Sequence, residues 1–298
     1  LAIENATGTC GGEPTVIKVE GEVLISTIYI HDKSVKLTGG TLKRASGYTD
    51  ASFLLSNACL TLEDVVVDGN KTTFTNDKSV IRSAFDLSKQ AKLTINKGTE
   101  IKNYRVRGTH AGLIWIADNS ACTLVMNGGT IRDNDLPDAE LITDCTNKYL
   151  SFEMTGGSIE ENTTGYGIAC VKSFTMSGGI IENNVFKYPY NVKMQTGLIK
   201  SGGIIKDNQG GLLVNLDLKI EGDGTNVMDS VVLYDPAARI SRNGKQKSEL
   251  VLNHYAYNAG KLTAGTVVVA GCDGYQLTED DLNKYMYKNS DWKLELSG

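Results

Sequence analysis

The chain reads as an all-β protein, a single-stranded parallel β-helix: a solenoid of short coils with a cap at each end. Three observations predict it. A glycine-pair motif recurs along the first two thirds of the sequence. Short stretches of alternating polar and apolar residues flank it. No helical spacing of apolar residues accompanies the repeat.

The motif is written LTGGTL, NKGTEI, MNGGTI, MTGGSI, SGGII and SGGII again, with its last glycine at Gly40, Gly98, Gly129, Gly157, Gly179 and Gly203. From Gly98 onward the steps are 31, 28, 22 and 24 residues. VVVDGNK (65–71) falls in the long gap before Gly98 and marks one more unit. Periods in the twenties with glycine turns suit stacked β-coils. Leucine-rich repeats share the period but need a recurring leucine lattice with helices, which these units lack.

Within each unit KLTI, TLVM, SFEM and SFTM read as strands with one face inward. The glycine pair supplies positive φ, or removes a Cβ where the chain must bend. The residue after it points inward, so Leu42, Ile101, Ile131, Ile159, Ile181 and Ile205 form one apolar ladder. Met126, Met154 and Met176 form a second. Asn134, Asn162, Asn184 and Asn208 end successive strands and form an amide ladder at a turn, where asparagine tolerates left-handed backbone. Lys102, Arg132, Glu160, Glu182 and Lys206 stack as a solvated face with cross-coil ion pairs.

Residues 31–215 are the regular coils. Residues 1–30, with PTVIKVEGEVLISTIYIHD, start the solenoid and cover its open end. Residues 216–298 carry the last coils and a closing segment with a short helix, where Thr278 and Asp281 form a capping box. No linker interrupts residues 1–298, so one domain is expected.

Composition narrows the partners. A net charge of −5 with no polybasic run argues against nucleic acid and anionic membrane. No apolar run reaches the ~18 residues of a membrane span. The 6 cysteines show no metal-like spacing and are read as free buried thiols acting as small apolar residues.

The MxGGxIxxN units, preceded by LTLEDVVVDGNK (60–71), resemble the pectin-lyase-like right-handed β-helix proteins. They are most similar to the repeat-bearing surface proteins of Gram-positive and gut bacteria. The likeness covers residues ~30–215, and AGTVVVAGCDGYQLTEDDL is similar to the closing segment of such proteins. It implies a right-handed helix and a secreted or cell-surface location. It does not choose an activity, since the superfamily holds lyases, glycosidases, phage tailspikes and non-enzymatic adhesins. The NTD, GHG and RIK signatures of its polygalacturonases are absent, and the calcium and arginine set of its pectate lyases cannot be mapped.

Function is therefore sought in the segments after each asparagine, which vary while the coils do not: RVRGTH (105–110), DLPDAE (135–140), TTGYG (163–167), VFKYPYNVKMQT (185–196) and QGG (209–211). Stacked coils would set them side by side as one wall. Asp133, Asp135, Asp138, Glu140 and Asp144 hold the carboxylates a glycosidase needs as acid and base or nucleophile, with Asp135 and Asp138 the leading pair. The same residues could be a solvated acidic turn. A calcium loop is the weakest option, because Asp138 sits where an EF-hand loop needs glycine. Arg105, Arg107 and His110 would bind an acidic sugar or pair with Asp135 or Asp138 across coils. Tyr166, Phe186, Tyr188 and Tyr190 would offer rings to sugar faces, or fold back as a small core. Trp115 is read as core packing. No cofactor, phosphate loop or nucleophile elbow is visible.

The leading expectation is a non-catalytic module that binds a glycan or a surface protein through the loop-built face. The alternative is a glycoside hydrolase or polysaccharide lyase using Asp135 and Asp138, assisted by Arg107 or His110.

Overall fold

A computed structural model describes residues 2–74, 83–108, 111–116, 118–144, 148–187, 198–209, 212–214, 217–223, 230–255, 260–288 and 291–296, with backbone alone at 169–170 and 213–214. Among the described residues the protein is all-β apart from a 3-10 turn at Lys71–Thr73 and one α-helical turn at Glu279–Leu282. Its strands form a 17-stranded main sheet and further sheets of six, four and three strands. Among the described residues every strand pairing is parallel. The six-stranded sheet runs from Ile28–His31 to Gly167–Cys170.

Register in the main sheet follows the repeat. Leu42, Val67, Ile101, Ile131, Ile159, Ile181 and Ile205 stand in one column, each opposite the next. Val67 belongs to VVVDGNK, which therefore is a repeat. The second column runs Leu37, Leu62, Ile95, Met126, Met154, Met176. Beside it Phe152 and Phe174 stack at 4.4 Å. The columns are buried because alternate residues of each strand point to one face, and the core cluster they build extends from Ala6 to Tyr285.

The two glycines of a pair do different jobs. Gly157 has φ +83°, and a Cβ there would lie 2.5 Å from the carbonyl oxygens of Gly128 and Gly129. Gly156 needs no unusual φ, but its Cβ would meet the Asn127 carbonyl oxygen at 2.6 Å. One glycine turns the chain; the other lets the neighbouring repeat approach.

The amide ladder is present, with one correction. Asn134 Nδ2 donates to Asn162 Oδ1 at 2.9 Å, Asn162 Nδ2 to Asn184 Oδ1 at 3.0 Å, and Asn184 Nδ2 to Asn208 Oδ1 at 2.9 Å. Each amide also donates to a carbonyl of the preceding repeat, as Asn162 does to Ile131 at 2.9 Å. The left-handed residue is the one before: Asp133, Glu161, Asn183 and Asp207 have φ of 54–56°. The turn needs positive φ there, which frees the asparagine to aim its amide inward.

The cysteine reading is corrected too. Cys10 and Cys59 form a disulfide across 49 residues. Cys122 is a buried free thiol, as expected, and Cys272 is free and partly exposed. Cys145 and the side chain of Cys170 lie outside the described residues.

The two ends are built differently. Residues 15–31 do not cover the first layer; they are that layer, in strands Thr15–Lys18, Glu22–Ile25 and Ile28–His31. Only Ile3 and Ala6 of the preceding segment pack on the core. At the other end the capping box forms: Thr278 accepts from the Asp281 amide and the Asp281 carboxylate accepts from the Thr278 amide. A cleft of about 1180 Å³ remains beside Val267–Gly271, walled by Trp292–Leu296.

Candidate functional site

The variable segments do begin side by side. Asp135–Leu136, Thr163–Thr164 and Val185–Phe186 form the three-stranded parallel sheet, and Arg105 bridges to Asp135. The ladder fixes this geometry, because Asn134, Asn162 and Asn184 each immediately precede one of these short strands.

On this face the predicted charges meet as ion pairs. Arg105 Nε lies 2.9 Å from Asp135 Oδ2, and Arg105 Nη1 donates to the Phe74 carbonyl at 3.1 Å. Arg107 Nη1 lies 3.1 Å from Asp138 Oδ2. Lys187 reaches the other oxygen, Asp138 Oδ1, at 3.0 Å. The hydrogen bond from Lys187, helped by Arg107 and opposed by partial burial, holds the Asp138 carboxyl below the ordinary aspartate range.

The other carboxylates of the cluster are engaged as well. Asp133 pairs with Arg132, while its backbone carbonyl accepts from Lys71. Asp144 is buried and accepts from the amides of Tyr149 and Leu150 at 2.7 and 2.8 Å. It closes a turn. Glu140 lies in the strand Glu140–Thr143, paired with Gly112 and Gly167. Among the described residues no three His, Cys, Asp or Glu side chains gather as a metal site.

The aromatic platform loses a member. Phe186 is 4% exposed and joins the core, because it follows the alternation of its strand and points inward with Leu136 and Thr164. Tyr166 is partly exposed on the turn after Thr164. His110, Tyr188 and Tyr190 lie outside the described residues. Trp115, read as core, is partly exposed: its neighbours Ile114 and Ile116 take the inward positions of Gly112–Ile116.

Two features escaped sequence reading. Lys187 was passed over within VFKYPY, yet it holds Asp138; a basic residue at the start of a neighbouring variable segment was the available signal. A second polar ladder runs along the outer corner, where Asn96 Nδ2 donates to Glu63, Asn127 Nδ2 to Asn96 and Thr155 Oγ1 to Asn127, at 3.0–3.2 Å. Its signal was the polar residue just before each glycine pair. The expected charge column holds in part: Lys206 pairs with Glu182 at 2.8 Å, whereas Lys102 and Arg132 stack as like charges and Glu100 takes both. None of the predicted site residues lines the C-terminal cleft. Among the described residues no helix is long and apolar enough to cross a membrane.

No protein-family model matches the chain, and no curated protein or solved structure matches it.

Proposed function

We propose that residues 1–298 form one right-handed parallel β-helix, a non-catalytic module of a bacterial secreted or cell-surface protein. Its face carrying Arg105, Arg107, Asp135, Asp138 and Lys187 would bind a glycan or a surface protein, with no cofactor. The winding is supported by parallel register between repeats and by the glycine-pair turns that end at Gly40, Gly129, Gly157, Gly179 and Gly203. The Cys10–Cys59 disulfide favours an oxidising, extracellular setting.

The observation that carries the non-catalytic reading is the clamp on Asp138. A glycosidase acid needs a raised pKa so that it holds a proton at neutral pH. Asp138 is bonded to two cations and pushed the other way. Asp135 is likewise tied to Arg105. Such carboxylates fix the shape of a face; they are poorly placed to trade protons.

The test uses a glycan array and a panel of oligosaccharides. The module should retain a ligand without cleaving it, and Arg107→Ala with Lys187→Ala should weaken retention tenfold or more. Sugar release that vanishes in Asp135→Asn or Asp138→Asn would establish the hydrolase or lyase instead.

A further inference from the structure

The first strand layer leaves an exposed edge on the main sheet and on the six-stranded sheet. Among the described residues Thr15–Lys18, Glu22–Ile25 and Ile28–His31 each pair on one side alone. Val16, Val23, Leu24 and Tyr29 are between 41% and 67% exposed. An open parallel edge of this kind is costly to hold in place, since half its hydrogen-bonding groups face water.

The segment before it is seated by few contacts. Ile3 and Ala6 pack on the core. Lys33 Nζ donates to the carbonyls of Ile3, at 3.2 Å, and Glu4. The Ser34 amide donates to the Gly8 carbonyl at 2.7 Å, and the amides of Thr7 and Gly8 donate to Thr15 Oγ1 at 3.0 Å. The fit at Gly8 is close: a Cβ there would lie 2.4 Å from the Ser34 carbonyl oxygen. The anchor is also covalent. Cys10 is exposed, and it joins Cys59, at the head of Cys59–Glu63. That strand lies past Ser34–Thr38, which itself lies past Thr15–Lys18. The bond therefore ties the segment before the first layer directly to the third.

We propose that Cys10–Cys59 is a redox-sensitive strap. Oxidised, it holds residues 2–14 against the open end and pins the first layer. A dithiol reductant attacks one sulfur, the other leaves as thiolate, and the second thiol of the reductant displaces the first. Cys10 and Cys59 gain two electrons and two protons as thiols, and the reductant becomes a disulfide. Residues 2–14 then detach, and 15–31 loosen with them. Repeats from Cys122 onward stay folded, because they do not touch the strap.

Hydrogen exchange followed by mass spectrometry, on the full chain with and without dithiothreitol, tests this. Amides of 15–31 should exchange at least tenfold faster once reduced, while those of 122–132 and 150–160 keep their rates. Cys10→Ser should reproduce the reduced pattern without reductant, which separates this bond from any other. Unchanged exchange over 15–31 in the reduced chain or in Cys10→Ser would overturn the proposal. So would acceleration spread evenly over all repeats.

Discussion

The repeats from Cys122 to Asn184 and those from Leu198 to Asn243 use one column of the main sheet in two ways. In the first group the column is Met126, Met154 and Met176, all buried. In the second it continues as Lys200, Ile220 and Arg242, and both cations are 0% exposed. The reason lies in the turn beside the column. In the earlier repeats the second glycine's carbonyl accepts from the next repeat: Val66 donates to Gly40 at 3.0 Å and Ile204 to Gly179 at 2.9 Å. The isoleucine column ends at Ile205, with no further strand paired beyond it among the described residues. Lys200 Nζ fills the place, donating to the carbonyls of Gly202 and Gly203 at 2.9 and 2.7 Å. Arg242 does the same for Gly222, Gly244 and Lys245. Buried carbonyls need donors. Where the next repeat stops providing them, a cation replaces a methionine.

The ladder should show the contrast most strongly. Asn162→Ala removes an acceptor for Asn134 and a donor to Ile131, Glu160 and Asn184, all within buried structure. Urea unfolding should give a loss of about 4 kcal/mol. Asn208→Ala, at the end of the ladder and 9% exposed, should lose about 2 kcal/mol, because water can replace part of what it gives.

Glycine substitutions separate strain from contact. Gly157→Ala meets both an unfavourable φ and two carbonyl oxygens, and should cost about 3 kcal/mol or more in the same assay. Gly222→Ala has φ +77° but nothing within 4 Å, so only the backbone term of about 1 kcal/mol remains. Equal costs at the two sites would remove the case for close approach between repeats.

Lys200 makes a pH-dependent prediction. Burial, with Arg242 nearby, pushes its ammonium down to about 8. The folded protein thus releases a proton that the unfolded chain keeps up to about pH 10.4. The cost of the buried charge is full below pH 8 and fades as pH rises from there toward the unfolded value. Wild-type stability, measured against Lys200→Met, should rise across that window. A flat difference would show that Lys200 is not confined as described.

The smallest effect belongs to the charged face. Asp138→Asn removes partly exposed pairs to Arg107 and Lys187 and should cost under about 1 kcal/mol. Because the Asp138 carboxyl is depressed, its contribution is present above the usual aspartate pKa and disappears in acid.

Much of this was legible in residues that repeat. The glycine pairs, the isoleucine column and the asparagine ladder each recur at one place in the motif, so a single alignment displays them. Lys200 was also legible in principle: IKSGG sets it where TMSGG and EMTGG place methionine. What could not be read depends on contacts between dissimilar segments. Cys10 and Cys59 share no motif, and only the stacked layers bring them within 5.4 Å at Cα. Lys187 meets Asp138 across 49 residues for the same reason. Phe186 stayed open between an exposed ring and a core ring because a loop reading ignores alternation, and two residues of strand suffice to turn its ring inward.

Successive repeats stack in register, and spin-label distances between outward positions of one column measure that stacking most directly. Lys102, Arg132, Glu160, Glu182 and Lys206 are consecutive partners in that column. Neighbouring strands lie about 4.8 Å apart. Cysteine-linked nitroxides at 102 and 206 should therefore report a separation near 19 Å before the label arms are added, about 5 Å more than labels at 132 and 206. Distances well beyond 30 Å, or no steady increment per repeat, would contradict the account.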